Sequence, residues 1–162
     1  MPQRLVGLAP VIRPDTRVVV LGSFPGAASL AAGEYYAHPR NHFWPILAQV
    51  CGAPLASLPY AERLERLLDA RIGLWDVYAS CERAGSLDSA IRGAVTNDLA
   101  ALLRAAPGLG AIVHNGAESA KHRRTLAALG IPVVRAPSTS PANATWSLAR
   151  KVEAWRSALA LR

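Results

Sequence analysis

The run Arg17-Val18-Val19-Val20-Leu21-Gly22 constrains the fold more than any other stretch of this sequence. It is apolar without alternation and rich in β-branched residues, so the strand it forms must be buried on both faces. A glycine stops it, and a segment rich in Gly, Ala, Ser and Pro follows, from Ser23 to about Pro39. Helical and strand-like patterns then alternate. From Asn41 onward, Phe43, Ile46, Leu47 and Val50 share one helical face, Gly52 ends the pattern, and Pro45 sits in the early turns where proline does least harm. The spacing predicts a second amphipathic helix from Pro59 to about Ala70, with Leu64, Leu67 and Leu68 inward. Ile72 to Tyr78 reads as a strand and Ser80 to Ser89 as a polar loop. Thr96 or Asn97 can cap a helix running through Leu103 and ending at Pro107-Gly108. Ala111 to His114 is a short strand opening onto Asn115-Gly116, and a helix from Ala117 to Leu129 stops at Gly130. Pro132 to Arg135 is the last strand, Ala136 to Asn143 is rich in turn residues, and Thr145 to Leu161 is the final helix.

Strands alternating with helices imply parallel βαβ units. The expected fold is α/β: a three-layer α/β/α sandwich around a central, mainly parallel four-stranded sheet. No repeat or long linker interrupts residues 1–162, which read as a single domain. In such sheets the ligand crevice lies beyond the carboxyl ends of the strands. The segments expected there are Ser23–Pro39, Asp76–Ser89, Asn115–Gly116 and Pro137–Asn143.

Composition narrows the class. With 51% hydrophobic and 18% charged residues, a disordered or fibrous chain is excluded. Cys51 and Cys81 are too few for a disulfide framework, form no CxxC pair, and read as buried thiols without a catalytic role. No clustered histidines suggest a metal, and no stretch is long and apolar enough for an export signal or a membrane span. The expected compartment is the cytoplasm. The net charge of +7 is uneven: residues 1–81 carry +1 and residues 82–162 carry +6. A basic half suggests a polyanionic partner, although an arginine-rich composition alone would give the same balance.

The expected crevice loops hold the chemistry. Gly22-Ser23-Phe24-Pro25-Gly26 lacks both the GxGxxG spacing and the P-loop lysine, which removes a dinucleotide or nucleoside triphosphate site. Glu34-Tyr35-Tyr36-Ala37-His38-Pro39-Arg40-Asn41-His42-Phe43-Trp44 crowds aromatic, histidine, arginine and asparagine side chains together. From the residues alone, Asn41 reads either as a functional amide or as a helix cap, with Phe43 and Trp44 as core.

Three segments then carry a resemblance. GSFPGAASLAAGEYYAHPRNHFW, LWDVYASCERAGSLDSAI and PSTSPAN, in that order between residues 17 and 146, resemble the uracil-DNA glycosylase superfamily, and within it the hypoxanthine-DNA (deoxyinosine) glycosylase branch. The resemblance implies a monofunctional DNA glycosylase that excises hypoxanthine, and uracil as a second substrate, with water as nucleophile and no cofactor. Gly22 to Gly26 matches the first motif, whose third position usually orients the attacking water. Phe24 stands there instead, and a phenyl ring cannot hold water. In the hypoxanthine branch the catalytic role falls to the asparagine matching Asn41. Tyr36 matches the ring placed against the extruded base, and Pro137-Ser138-Thr139-Ser140 matches the loop that meets the DNA. Ala136 replaces the His or Asn that often opens that loop. The superfamily's iron–sulfur members use four cysteines, a set that two cannot complete.

Physical reasoning runs beside the resemblance. Extruding a base calls for a ring to stack on it and polar groups to read its edge. Tyr36 offers the ring, while the amides of Ser23 and Phe24 and the side chains of Asp76 and Asn115 offer edge contacts. Asp76 in an apolar strand could equally be a buried partner for a loop amide. His38, Arg40 and His42 are candidates for phosphate or orienting contacts, and His42 also reads as helix surface. The expected partner is DNA containing deaminated bases, met by a monomer without metal. Two alternatives stay open: a uracil- or mismatch-specific glycosylase, and a catalytically silent nucleic-acid-binding module of the same fold.

Overall fold

The protein is described here by a computed structural model covering residues 3–160. Seven strands and seven α-helices follow in chain order: β1 Arg4–Val6, β2 Val18–Gly22, α1 Ala27–Ala32, α2 Phe43–Cys51, α3 Tyr60–Asp69, β3 Ile72–Asp76, β4 Tyr78–Glu82, β5 Arg92–Thr96, α4 Ala101–Ala105, β6 Ala111–Asn115, α5 Ala117–Ala120, α6 Arg123–Ala128, β7 Val133–Ala136 and α7 Leu148–Leu159. The valine run is β2, and every one of its residues is buried. It lies inside a four-stranded sheet of order β3-β2-β6-β7, in which every pairing is parallel.

Alternation along β2 divides the core. Val18 and Val20 point into one cluster, with Phe43, Ile46 and Leu47 of α2, Leu67 of α3 and Trp155 of α7. Val19 and Leu21 point into the other, with Leu102 of α4 and Leu126 of α6. Helices thus cover both faces, and the three-layer α/β/α arrangement with a parallel four-stranded centre is the one expected. Because the strands are parallel, Gly22 pairs with Asp76 and Asn115 with Ala136, so their carboxyl ends finish together at one edge.

Several boundaries differ from expectation, each for a local reason. A second sheet of order β1-β4-β5 was not anticipated. It is antiparallel, and its β5 is exposed at every residue, so no hydrophobic pattern marks it. The strand expected over Ile72 to Tyr78 breaks at Val77, and β4 runs on through part of the supposed polar loop. Thr96 consequently ends β5 and does not cap a helix; α4 starts later, after Ala100. Within the supposed loop after β2, α1 forms and stops at Gly33, which takes the left-handed conformation glycine permits (φ 68°). The helix expected from Ala117 to Leu129 is broken into α5 and α6 around Lys121-His122. The last helix begins at Leu148, where the Ser147 side chain accepts from the Arg150 N–H, and Thr145 lies outside it. Cys81 is buried as expected, but Cys51 is only half-buried. Leu161, the expected end of the last helix, lies outside the described residues.

Candidate active site

The carboxyl ends of the parallel strands open into a cleft of about 1210 Å³. Its walls come from the stretch after β2 (Ser23–Ser29), the turn before α2 (Tyr36, His38, Asn41), the end of β3 (Asp76), the segment Ser86–Ser89, the start of α5 and the loop after β7. Four of the expected crevice segments therefore do meet, as the topology requires.

Local bonding sets each side chain. Asn41 is half-buried on the cleft wall, and its Oδ1 accepts the Phe43 N–H at 2.9 Å. The N-cap of α2 is His42 and not Asn41, but the Asn41 side chain satisfies the first N–H of the helix, and that bond fixes the amide. Oδ1 keeps a second lone pair and Nδ2 keeps both hydrogens, so the amide can still hold water. Tyr36 adopts φ 57°, a left-handed conformation uncommon outside glycine. One face of its ring stacks on Phe43, with centroids 4.1 Å apart and planes 22° from parallel. Phe43 covers that face, and the rest of the ring borders the cleft. The Tyr36 hydroxyl is buried beside the Asn115 amide and the Asp76 carboxyl.

Asp76 ends β3 only 5% exposed, and its Oδ2 is buried with no partner. Its Oδ1 lies so close to the Cα of Gly22 that a methyl there would overlap it, and the same methyl would come within 3.3 Å of the Tyr36 hydroxyl. That close approach is why the strand must end in glycine. Burial pushes the Asp76 carboxyl up to about 7, the charge of Asp88 adds to the rise, and the Arg83 guanidinium opposes it. Burial, and then the charge of Asp76, push the Tyr36 hydroxyl far above the ordinary tyrosine range.

Other expected contacts need correction. The Asn115 amide is held by Thr139 and still lines the cleft: Nδ2 donates one hydrogen to Thr139 Oγ1 at 3.0 Å and Oδ1 accepts the Thr139 N–H at 3.0 Å, which leaves one N–H and one lone pair. Thr139, 1% exposed, turns inward rather than toward phosphate. Its carbonyl accepts the His42 N–H at 2.9 Å. Ser23 and Phe24, expected to act through their main-chain amides, both line the cleft, and the Ser23 hydroxyl donates to Asp88 Oδ1 at 2.6 Å. The Phe24 ring is 7% exposed, packed in the second core cluster beneath the Arg83 guanidinium at 5.3 Å. His38 and Asn41 line the cleft; Arg40 and His42 do not. His38 Nδ1 accepts the Arg40 N–H at 3.1 Å, closing the turn that delivers Asn41. His42 instead accepts at Nδ1 from the buried Lys151 ammonium, 3.2 Å away, and burial and that cation hold it neutral. Pro137, Ser138 and Ser140 do line the cleft.

The polar segment after β4 is the part that sequence reasoning undervalued. Arg83 Nη2 donates to the Pro25 carbonyl at 2.8 Å, Ser86 Oγ accepts the Ala27 N–H at 2.9 Å, and Asp88 accepts from Ser23. These bonds clasp the loop after β2 from outside. Only the run of small and charged residues within LWDVYASCERAGSLDSAI signalled it. Among the described residues there is no group of three or more His, Cys, Asp or Glu side chains that could hold a metal ion. Among the described residues, no helix is long and apolar enough to cross a membrane.

Comparison with known proteins agrees with this geometry. The profile of the uracil DNA glycosylase superfamily matches residues 9–159. A protein named hypoxanthine DNA glycosylase from Methanosarcina barkeri is 37% identical over 152 residues, 94% of this chain and 96% of its own. A second protein of that name, from Methanosarcina acetivorans, is 34% identical over 147 residues, 91% of this chain and 93% of its own. A solution NMR structure of a Methanosarcina acetivorans protein assigned to the uracil DNA glycosylases superposes with a TM-score of 0.87 at 33% identity, covering 96% of each chain. With matched sequence across nearly its whole length, and a cleft at the carboxyl edge of a parallel sheet, this chain belongs to the uracil DNA glycosylase superfamily.

Proposed function

We propose that this protein hydrolyses the N-glycosidic bond of deaminated bases in DNA, with hypoxanthine the preferred base. One observation carries the reading: the Asn41 amide, pinned by the Phe43 N–H, stands on the wall of the strand-end cleft with hydrogen-bonding capacity to spare. Cleavage passes through an oxocarbenium-like state that is attacked by water. A neutral amide holding that water near C1′ contributes by positioning, and no strong base is needed. The flipped base lies against the Tyr36 ring, where stacking contributes about 1–3 kcal/mol. Asp76, unpartnered at Oδ2, accepts the ring N–H that hypoxanthine has and adenine lacks. The similarity to the two archaeal hypoxanthine DNA glycosylases supports the choice of base.

Uracil presents a ring N–H beside a carbonyl as well, so the same Asp76 contact favours uracil as the second substrate. The protein acts as a single-domain monomer in the cytoplasm, with DNA as partner and no cofactor. The test is single-turnover cleavage of inosine, uracil and xanthine duplexes, with alkali to reveal abasic sites. Wild type should cut inosine fastest, and Asn41→Ala should lose roughly 100-fold or more in rate with DNA affinity nearly unchanged. Cleavage by Asn41→Ala at the wild-type rate removes Asn41 from the mechanism. No cleavage of any of the three bases by wild type would leave a silent DNA-binding module.

A further inference from the structure

We propose that His114 is a positioning residue for base recognition: through Ser119 it holds the Leu21 carbonyl, and so places the Ser23 and Phe24 amides on the cleft wall. The assignment rests on the glycosylase reading above. His114 follows three apolar residues in β6 and is only 1% exposed. Its Nε2 is buried with no partner among the described residues. A leucine there would bury no unpaired nitrogen, so the imidazole opposes folding at this position unless its other nitrogen contributes.

That nitrogen makes a hydrogen bond whose direction the neighbours dictate. Ser119 is fully buried and has one hydroxyl hydrogen, and its Oγ lies 2.6 Å from the Leu21 carbonyl, which can only accept. Ser119 therefore donates to Leu21. The 2.7 Å contact between Ser119 Oγ and His114 Nδ1 must then take its hydrogen from the imidazole. The ring is fixed as the neutral Nδ1–H tautomer. Burial, with His122 and Arg123 nearby, pushes the imidazole down to about 4 and keeps it neutral. This relay acts where the sheet comes apart. The β2–β6 ladder ends at the Leu21–His114 pair, one residue before the β2–β3 ladder, which reaches Gly22 and Asp76. From the β3–β4 side the main chain is held by the Val77 N–H on the Gly22 carbonyl at 2.8 Å and the Tyr78 N–H on the Ser23 carbonyl at 3.0 Å. Ser119 supplies the matching hold from the β6 side. Without it the Leu21 carbonyl loses this bond, and the amides that follow it shift.

Single-turnover cleavage of an inosine duplex by saturating enzyme reads the effect. His114→Leu should slow it about tenfold, the scale of a small misplacement, with DNA affinity changed less than about twofold. His114→Asn, which offers an N–H near the place of Nδ1, should restore most of the rate. Ser119→Ala should match His114→Leu, and the double variant should lose no more than either alone. Tyr78→Phe keeps its N–H on Ser23 but removes another tie on α5, the hydroxyl bond to Glu118 Oε2 at 2.6 Å. It should lower the melting temperature and leave the rate unchanged. Nitrogen NMR of the imidazole at neutral pH should show Nδ1 protonated and Nε2 bare. In the amide spectrum, His114→Leu should move the Ser23 and Phe24 resonances. A wild-type rate in His114→Leu, or a ring protonated at Nε2, overturns the assignment. So does an equal rate loss in Tyr78→Phe, which would mean that any loosening of α5 suffices. If wild type cleaves no inosine, the glycosylase reading fails and the amide spectrum decides alone: moved Ser23 and Phe24 resonances keep the relay, and unmoved ones refute it.

Discussion

Replacing Asp76 by asparagine should change the stability of this protein in a way that depends on pH. The carboxyl is buried, its Oδ2 has no partner, and burial lifts it from the ordinary value of 3.8 to about 7. Below pH 3.8 it is protonated in both folded and unfolded chains, so its burial carries no ionisation penalty. Between those values the unfolded chain gives up the proton and the folded chain keeps it, so stability falls by about 1.4 kcal/mol per pH unit. Above pH 7 the loss is complete, and across the window it amounts to about 4 kcal/mol. Asparagine does not titrate, so Asp76→Asn removes that slope. At low pH, where the carboxyl is neutral as well, the variant and wild type should be of similar stability. At pH 8 it should match or exceed wild type. Urea unfolding of both proteins at pH 4.5, 6 and 8 measures the difference directly. A stability difference that is constant across the series would show that Asp76 is ionised at all three pH values, and the account of its burial would be wrong. The same ionisation governs recognition: wild-type cleavage should rise as the pH passes upward through 7, when the carboxylate becomes able only to accept.

Two further outcomes follow from the same corner of the cleft. Tyr36→Phe keeps the ring that stacks on Phe43, so single-turnover cleavage should stay close to the wild-type rate. Tyr36→Ala should weaken the productive complex by about 1–3 kcal/mol in single-turnover titrations. Gly22→Ala places a methyl against Asp76 Oδ1 and should cost roughly 1–3 kcal/mol in denaturant unfolding. Pairing it with Asp76→Ser should recover much of that loss, which a double-mutant cycle would read.

The parallel sheet was legible in the sequence because burial on both faces leaves a valine run that few other structures tolerate. Asp76 and the Pro137–Ser140 loop were legible as candidates because strand ends must converge, whereas Asn41 and Tyr36 were singled out by the resemblance to the glycosylase superfamily. What each side chain does there was not. The Asn115 amide bonds to Thr139, and His42 to Lys151, through partners 24 and 109 positions away in the chain. No local pattern encodes such pairings. The second sheet escaped for the opposite reason: β5 is exposed throughout, so its sequence shows no alternation between core and solvent. The division of the helix at Lys121-His122 is likewise invisible to a periodicity that continues on either side.

Thr139 ties three parts of the molecule together: its N–H and hydroxyl engage Asn115 at the end of β6, and its carbonyl engages His42 at the start of α2. The loop after β7 and the turn holding Asn41 are therefore not separate modules that selection could adjust one at a time. An insertion in that loop, or a bulkier residue at position 139, would shift the amide that orders water as well as the wall that meets the backbone of the nucleic acid. The other wall is held by bonds of its own, Ser86 to the Ala27 N–H and Asp88 to the Ser23 hydroxyl, so a change there leaves the Asn41 turn in place.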